Sequence, residues 1–283
     1  MSDPGIRVVV VGHRSATTIE ACLRRLLAAE GVAEVVVVDN GSDDGTVALA
    51  TRIAQHEPRL RVQAHPENPG FAAGCNAGAL GSTLPWLAFV NPDCYVETDT
   101  FARMLAVIEG MPQIGMLGCA LVDADGVADA AVRRRDPSLR RILFARAARS
   151  ALHVASDGSP LQCVDAISGA LMLLPTAVFT QVGGFDAGYR LHTEDLDLCR
   201  RIRAAGYTVA IANTVRVTHL RGVSSRRRPL WVEWQKHRGM WRYFRKFEAS
   251  STALSMRGLL WVALWMHFLL LSAPRSWLRT ARD

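Results

Sequence analysis

Apolar residues along the first ninety positions fall into short β-branched runs separated by stretches of helical spacing. Val8–Val11 and Val35–Val38 are runs of strand length, and β-branched side chains favour a pleated backbone. Between them, Thr17–Glu30 sets Ile19, Leu23, Leu26 and Leu27 at helical spacing, which completes a strand-helix-strand unit. The pattern then repeats. A turn-rich segment from Asp39 to Thr46 carries Asp and Ser residues able to cap a helix over Thr46–Gln55, and Arg61–Ala64 follows as a third strand. Asn68-Pro69-Gly70-Phe71 turns into a small-residue helix over Ala72–Leu80, and Leu87–Val90 is a fourth strand. Such alternation with short loops predicts an α/β doubly wound sheet.

The fourth run ends in Asn91-Pro92-Asp93. Pro92 stops the pairing and leaves Asp93 at the carboxyl end of a buried parallel strand, where open α/β sheets bind their ligands. A carboxylate there suits a divalent cation or a phosphate-bearing substrate; the plainer alternative is a solvated turn acid. Asp39 ends its own strand in the same way, as a helix-capping acid or as an acceptor for a nucleobase N–H or a ribose hydroxyl. No Gly-x-Gly-x-x-Gly follows the first strand and no Gly-Lys-Ser/Thr occurs, so neither a dinucleotide fold nor a P-loop is indicated.

Residues 120–165 show little periodicity. Asp123–Gly126 suggests a hairpin turn, and Arg133, Arg134, Arg135, Arg140, Arg141, Arg146 and Arg149 read as a solvated basic face, or more sharply as a contact for an anionic acceptor. Order returns at Ala166–Leu174, a buried strand ended by Pro175. The glycine-rich bend Gly183-Gly184-Phe185-Asp186 precedes a helix that starts at Glu194, carries Leu198, Ile202 and Ala205 on one stripe and stops at Gly206, with Thr193 as its N-cap. Acids in a first turn are favoured by the helix dipole. Capping does not explain Glu194, Asp195 and Asp197 together, directly after such a bend; Asp197 is expected to point away from the other two.

Composition changes this picture mainly at the C-terminus. Residues 216–283 hold 14 Lys/Arg against three Asp/Glu, whereas residues 1–215 hold 19 against 23. Trp231, Trp234, Trp241, Phe244 and Phe247, interleaved with Lys236, Arg238, Arg242, Arg245 and Lys246, predict a helix lying in a membrane interface, and nucleic acid is the disfavoured partner. Gly258–Pro274 is an uncharged run of 17 residues, at the lower limit for a span. Arginines flank it on both sides, so the expectation is peripheral or monotopic attachment at the cytoplasmic face of the membrane, with a buried helix or homo-oligomer interface as the alternative. Two units are expected, 1–225 and 226–283. The six cysteines show no Cys-x-x-Cys spacing and read as reduced, packed thiols of a cytosolic protein. The first apolar run, Ile6–Val11, begins too early and is too short for a secretory signal.

Six segments in order, Asp39-Asn40-Gly41-Ser42-x-Asp44-Gly45-Thr46, Asn68-Pro69-Gly70-Phe71-Ala72-x-Gly74-x-Asn76, Asn91-Pro92-Asp93, Gly183-Gly184-Phe185-Asp186, Glu194-Asp195-x-Asp197-Leu198 with Arg201, and His219-x-x-Gly222, resemble the motif set of glycosyltransferase family 2. The likeness is strongest to its bacterial rhamnosyltransferase-like branch. It implies a GT-A, Rossmann-like mixed sheet, a dTDP- or UDP-sugar donor with dTDP-L-rhamnose as the best match, Mg²⁺ or Mn²⁺, inversion at the anomeric carbon, and a polyprenyl-linked or cell-envelope glycan acceptor. By the same match Asp93 and His219 would hold the metal, and Asp195 would be the base with Glu194 orienting it or the acceptor. Gly12, His13, Asp39, Gly70, Asn76 and Asn91 would line the nucleotide-sugar site, and Arg201 and Arg221 would contact the diphosphate or form structural ion pairs. Asn91 replaces the first acid of the family's usual Asp-x-Asp, which implies weaker binding of the metal by protein alone. A noncatalytic nucleotide-sugar-binding protein of the same fold is the alternative; a nucleotidyltransferase would need a Gly-rich, Lys-bearing N-terminal loop that is missing.

Overall fold

The computed structural model describes residues 5–139, 152–220 and 229–272. Its N-terminal half follows the hydrophobic pattern. Strand β1 (Ile6–Gly12) leads through α1 (Ile19–Ala28) to β2 (Val32–Asn40), then α2 (Thr46–Ala54), β3 (Leu60–His65), α3 (Phe71–Ala79) and β4 (Trp86–Val90). These strands pair in parallel in the order β3-β2-β1-β4. All of β1 is buried, because helices cover both faces of such a sheet and the strand needs no polar side. Helix α3 lies close on β1: a Cβ added at Gly74 would sit 2.8 Å from Val11, which is why that helix is made of small residues. Gly12 pairs with Asp39 in register, so the strands open their carboxyl ends on a common edge. The order reverses at β1, the switch point where such sheets bind ligands.

The second half is β5 (Cys94–Tyr95), α4 (Thr100–Val107), β6 (Ile114–Val122), β7 (Arg133–Arg134), β8 (Leu161–Cys163), β9 (Ala166–Ile167), β10 (Leu171–Pro175), α5 (Thr176–Gln181), α6 (Glu194–Ala204) and β11 (Thr208–His219). Strand β10 runs antiparallel between β4 and β6, and β11 lies parallel to β6 and antiparallel to β5, giving a nine-stranded mixed sheet. The single strand expected over Ala166–Leu174 is instead two, separated by a bend at Ser168–Ala170, and Pro175 closes β10 from within it. Five of the six cysteines are buried, and all six are free thiols.

Two helices follow, α7 (Pro229–Phe247) and α8 (Leu254–His267), the latter continued by a π-helical turn over Phe268–Ser272. The aromatic residues of α7 do not share one outward face. Trp231 and Trp234 are about 40% exposed, whereas Tyr243 is part of the main core and Phe244 packs with Leu139, Leu260 and Leu264. Helix α7 is therefore seated on the sheet domain by its inner face. The boundary expected at 225/226 falls in 221–228, outside the described residues. Among the described residues no helix is long and apolar enough to cross a membrane. Leu259, Trp261, Val262 and Met266 of α8 are exposed, as are Leu269 and Leu270 of the following turn.

Candidate active site

Two buried corners face the sheet's open edge. The first grows from β4. Its apolar run ends at Asn91, whose N–H donates to the Ala170 carbonyl (2.9 Å) and whose carbonyl accepts from the Cys94 N–H (3.0 Å). Strand β11, antiparallel to β5, pairs His219 with Cys94. That pairing brings His219 Nε2 to 3.3 Å from Asp93 Oδ1. Asp93 Oδ1 is buried and without a hydrogen-bond partner among the described residues, a costly arrangement unless a ligand satisfies it; His219 Nδ1 is likewise unpartnered, but the ring nitrogen facing Asp93 is Nε2. Two neighbouring ligands of an octahedral Mg²⁺, each about 2.1 Å away, stand about 3 Å apart, so the pair fits one cation. Cys94 also lies within the cluster. Burial pushes its thiol well above the usual range, and Sγ donates to Ala170 O at 3.4 Å, so Cys94 stays a protonated, packed side chain. An oxygen and an imidazole remain: the carboxylate suits Mg²⁺ or Mn²⁺, whereas the imidazole suits a transition metal better than Mg²⁺.

The second corner is the start of α6. His192 and Thr193 both take left-handed backbone angles, φ 64° and 76°, each strained by about 1–3 kcal/mol for a non-glycine residue. Thr193 stands at the N-cap position as expected, but its side chain makes no capping hydrogen bond. Helix α7 presses on this turn: a Cβ added at Gly239 would lie 2.8 Å from Thr193 Oγ1 and 3.2 Å from His192 O. Asp195 Oδ1 accepts the Leu196 N–H (2.8 Å), and Oδ2 accepts the Gly169 N–H (3.1 Å) and the guanidinium of Arg134. Burial pushes Asp195 up, but the Arg134 charge and hydrogen bond outweigh it and hold the carboxyl below its ordinary value. Arg134, more than the helix terminus, keeps this acid ionised.

Arg134 corrects the expectation of a solvated arginine face. The pairing of β7 with β9 turns it inward, leaving 19% of its side chain exposed. Arg140, Arg141, Arg146 and Arg149 lie outside the described residues. Glu194 differs from its neighbour: burial and the Asp195 charge push it up to about 8, and its Oε2 is buried without a partner among the described residues. Asp197 shares no hydrogen-bond partner with Glu194 or Asp195 among the described residues, in keeping with its expected direction. It is fully buried and accepts from Tyr189 Oη (3.1 Å), Arg201 Nε (2.5 Å) and Lys246 Nζ of α7 (2.7 Å). Arg201 also donates to Val182 O (2.6 Å). Of its two expected roles, the structure shows the structural ion pair, with Asp197. Arg221 lies outside the described residues.

One bend joins the two corners. Gly169 donates to Asp195, while the adjacent Ala170 carbonyl receives the Asn91 N–H and the Cys94 thiol. Asp93's turn and Asp195 thus hang from consecutive residues. The remaining predicted positions form the floor beside them. Asp39 is 1% exposed and accepts the Ser42 N–H (2.8 Å) and Oγ–H (2.5 Å), so its carboxylate shapes the loop beside Gly12. His13 Nδ1 carries a proton that it donates to the Asn40 carbonyl at 2.8 Å. Gly70 adopts φ +103°, and a Cβ there would lie 2.7 Å from Arg190 O, so only glycine lets the 183–190 segment close over α3. Asn76 is corrected from nucleotide contact to a clip: its amide oxygen accepts the Phe185 N–H and its NH₂ donates to Phe185 O, both at 2.8 Å.

Comparison with known proteins agrees with this geometry. The profile of the family described as "Glycosyl transferase family 2" matches residues 7–164, and that of "Glycosyl transferase family group 2" matches 88–281. The chain is 30% identical over 243 residues to an N-acetylglucosaminyl-diphospho-decaprenol L-rhamnosyltransferase of Mycobacterium tuberculosis, with 78% of each chain covered. Among solved structures it resembles the mannosyltransferase PcManGT of Pyrobaculum calidifontis, in complex with GDP-Man and Mn²⁺, at a TM-score of 0.61 and 19% identity, covering 99% of this chain and 74% of that one. It also resembles TarS of S. aureus at a TM-score of 0.58 and 15% identity, covering 98% and 78%. Both likenesses are of fold. With the motifs in order, the mixed sheet and the matched family, the chain belongs to glycosyltransferase family 2 and has the GT-A fold.

Proposed function

We propose that the protein transfers a sugar, with inversion, from a nucleoside diphosphate donor to a lipid-linked, diphosphate-bearing glycan, with L-rhamnose from a dTDP donor as the sugar. The observation that carries this reading is the pairing of two unlike corners on one bend: Asp93 with His219, holding unsatisfied buried atoms, and Asp195, held ionised by Arg134. The decaprenyl-diphosphate acceptor named for the M. tuberculosis relative supports the acceptor class, and the Mn²⁺ bound to PcManGT supports the metal. Asp39, Gly12 and His13 form the floor on which the nucleotide would rest, with Gly70 and Asn91 at its rim.

In the transfer, the acceptor hydroxyl oxygen attacks the anomeric carbon from the face opposite the diphosphate. The bond from that carbon to the phosphate oxygen breaks, and the nucleoside diphosphate leaves with the bonding electrons. The hydroxyl proton passes to a carboxylate of α6. Bound between Asp93 and His219, a divalent cation would neutralise charge growing on the departing diphosphate. Asp195 is the assigned base, since it is ionised at neutral pH and fixed in place. One observation favours a second assignment: Glu194 Oε2 has no partner, and a carboxyl titrating at about 8 matches the pH at which it would accept a proton. The exposed apolar residues of α8 and the following turn, together with the arginines of α7, suit attachment at a membrane face where a prenyl-linked acceptor resides.

Nucleotide release from a dTDP-sugar with Mn²⁺ tests the catalytic assignment. Asp195→Asn should lower the rate at least about a hundredfold, the low end for loss of a positioned base, and equal rates in the two proteins would remove Asp195 from the chemistry. With Asp195 as base the wild-type rate is flat from pH 6 to 9; with Glu194 it rises through about pH 8.

A further inference from the structure

Beside the acid corner lies a second hollow that the transfer chemistry does not use. A cleft of about 470 Å³ separates the Asp186–Leu191 segment from α7, and five basic side chains line it against the single carboxylate of Asp186. Arg242 and Lys246 already neutralise that carboxylate, at 2.8 and 2.9 Å. Arg190, Arg238 and Arg245 have no acid within 4 Å among the described residues, and Arg190 makes one donation, to Asn68 O. Three guanidinium groups without an acid around one hollow favour an anion, and the planar N–H fork of arginine matches phosphate oxygens two at a time. Trp241 adds an aromatic wall.

The cleft's position identifies which phosphate it would take. Leu191 lines it, and the chain reaches Glu194 three residues later, a span of at most about 10 Å. The far wall is α7, whose Gly239 rests on Thr193. Neither Asp93 nor His219, where the donor's diphosphate would lie, lines this cleft. Exposed Leu259, Trp261, Val262 and Met266 of α8 offer an apolar surface to a hydrocarbon tail. Resting on the transferase reading above, we infer that this cleft binds the diphosphate of the prenyl-linked acceptor through Arg190, Arg238 and Arg245, and so holds the acceptor sugar against the α6 acids.

Titration calorimetry of the full chain with farnesyl diphosphate, with UDP and Mg²⁺ filling the donor site, tests this. Arg238→Ala/Arg245→Ala should weaken farnesyl diphosphate binding at least about tenfold, while the affinity for UDP with Mg²⁺ stays that of the wild type. Both side chains are solvent-facing, so the variant should fold, and the UDP titration confirms that it has. Equal affinity in wild type and variant overturns the inference, as does farnesyl diphosphate binding that is seen only when UDP and Mg²⁺ are left out. Unchanged farnesyl diphosphate binding with lost binding to phosphatidylglycerol vesicles would also overturn it, assigning the arginines to a membrane surface. Any of these failures leaves the transferase reading standing, because nucleotide release by wild type and Asp195→Asn reads that separately.

Discussion

The proposed donor side and the proposed acceptor side of the site are built by different means. On the donor side, the carboxyl-terminal halves of β1, β2 and β4 are apolar on both faces up to the strand ends, and their loops are tied together by Asp39 with Ser42, three residues on, and by Ser15 with Thr46 across the sheet edge. On the acceptor side lie four buried or half-buried carboxylates, of which Asp186, Asp195 and Asp197 are held by cations: Arg134 of β7, Arg201 of α6 itself, and Arg242 and Lys246 of α7, while Glu194 has no cation among the described residues. Hydrophobic burial is nondirectional and tolerates small changes, whereas a buried ion pair becomes a liability once one partner is lost. The acceptor side should therefore respond more strongly to single substitutions and to pH, and it depends on a helix that the motifs do not include.

The largest effect expected is at Arg134. Arg134→Met leaves Asp195 buried beside Glu194 without its cation and should cost about 3–5 kcal/mol in a urea titration. Asp195 would then bind a proton more readily, so the acid limb of the pH–rate profile should move to higher pH. An unchanged profile would show that Arg134 does not set the charge of the pair. Next in size is Gly239→Val, whose side chain has no room beside Thr193. Displacing the left-handed His192–Thr193 turn should lower nucleotide release at least about tenfold, since misplacement of about 1 Å can cost a hundredfold, while UDP still raises the melting temperature. Equal loss of UDP binding would mean that α7 supports the whole fold and not the acceptor side alone.

The smallest is a pH effect on stability at Glu194. Its carboxyl titrates at about 8 in the folded protein against an ordinary 4.5, so the folded state retains a proton that the unfolded state releases. The stabilising contribution is complete below about 4.5 and is lost as pH rises through about 8. Glu194→Gln should melt higher than wild type at pH 9 and show no such gain at pH 4.5. A constant difference at both pH values would contradict the raised titration.

The donor side was legible in the sequence because its signals are local. Uninterrupted runs such as Leu87–Val90, ended by Pro92, specify a buried strand and place Asp93 without reference to the rest of the chain. Strands β6 and β11 escaped that reading for physical reasons. Gly115 and Gly118 interrupt β6 because the space for their Cβ atoms is taken by Tyr207, Ile202, Ile211 and Ile167, and β11 carries a register shift between Ala212 and Arg216. On the acceptor side, the family resemblance located Glu194 and Asp195 but not what holds them. Arg134 is 61 residues from Asp195, and Asn76 is 109 from Phe185; no local pattern announces such partners. In sequence Arg134 is one basic residue among several, and only the pairing of β7 with β9 singles it out.

The division of labour between the two corners is tested most directly by measuring UDP affinity with and without Mn²⁺ in wild type, Asp93→Ala and Asp195→Asn, alongside nucleotide release from the donor sugar. If Asp93 serves the departing diphosphate and Asp195 the incoming hydroxyl, Asp93→Ala should lose the Mn²⁺-dependent gain in UDP affinity. Asp195→Asn should keep that gain and still fail to turn over. Retention of the full Mn²⁺ effect in Asp93→Ala, or its loss in Asp195→Asn, would contradict the assignment.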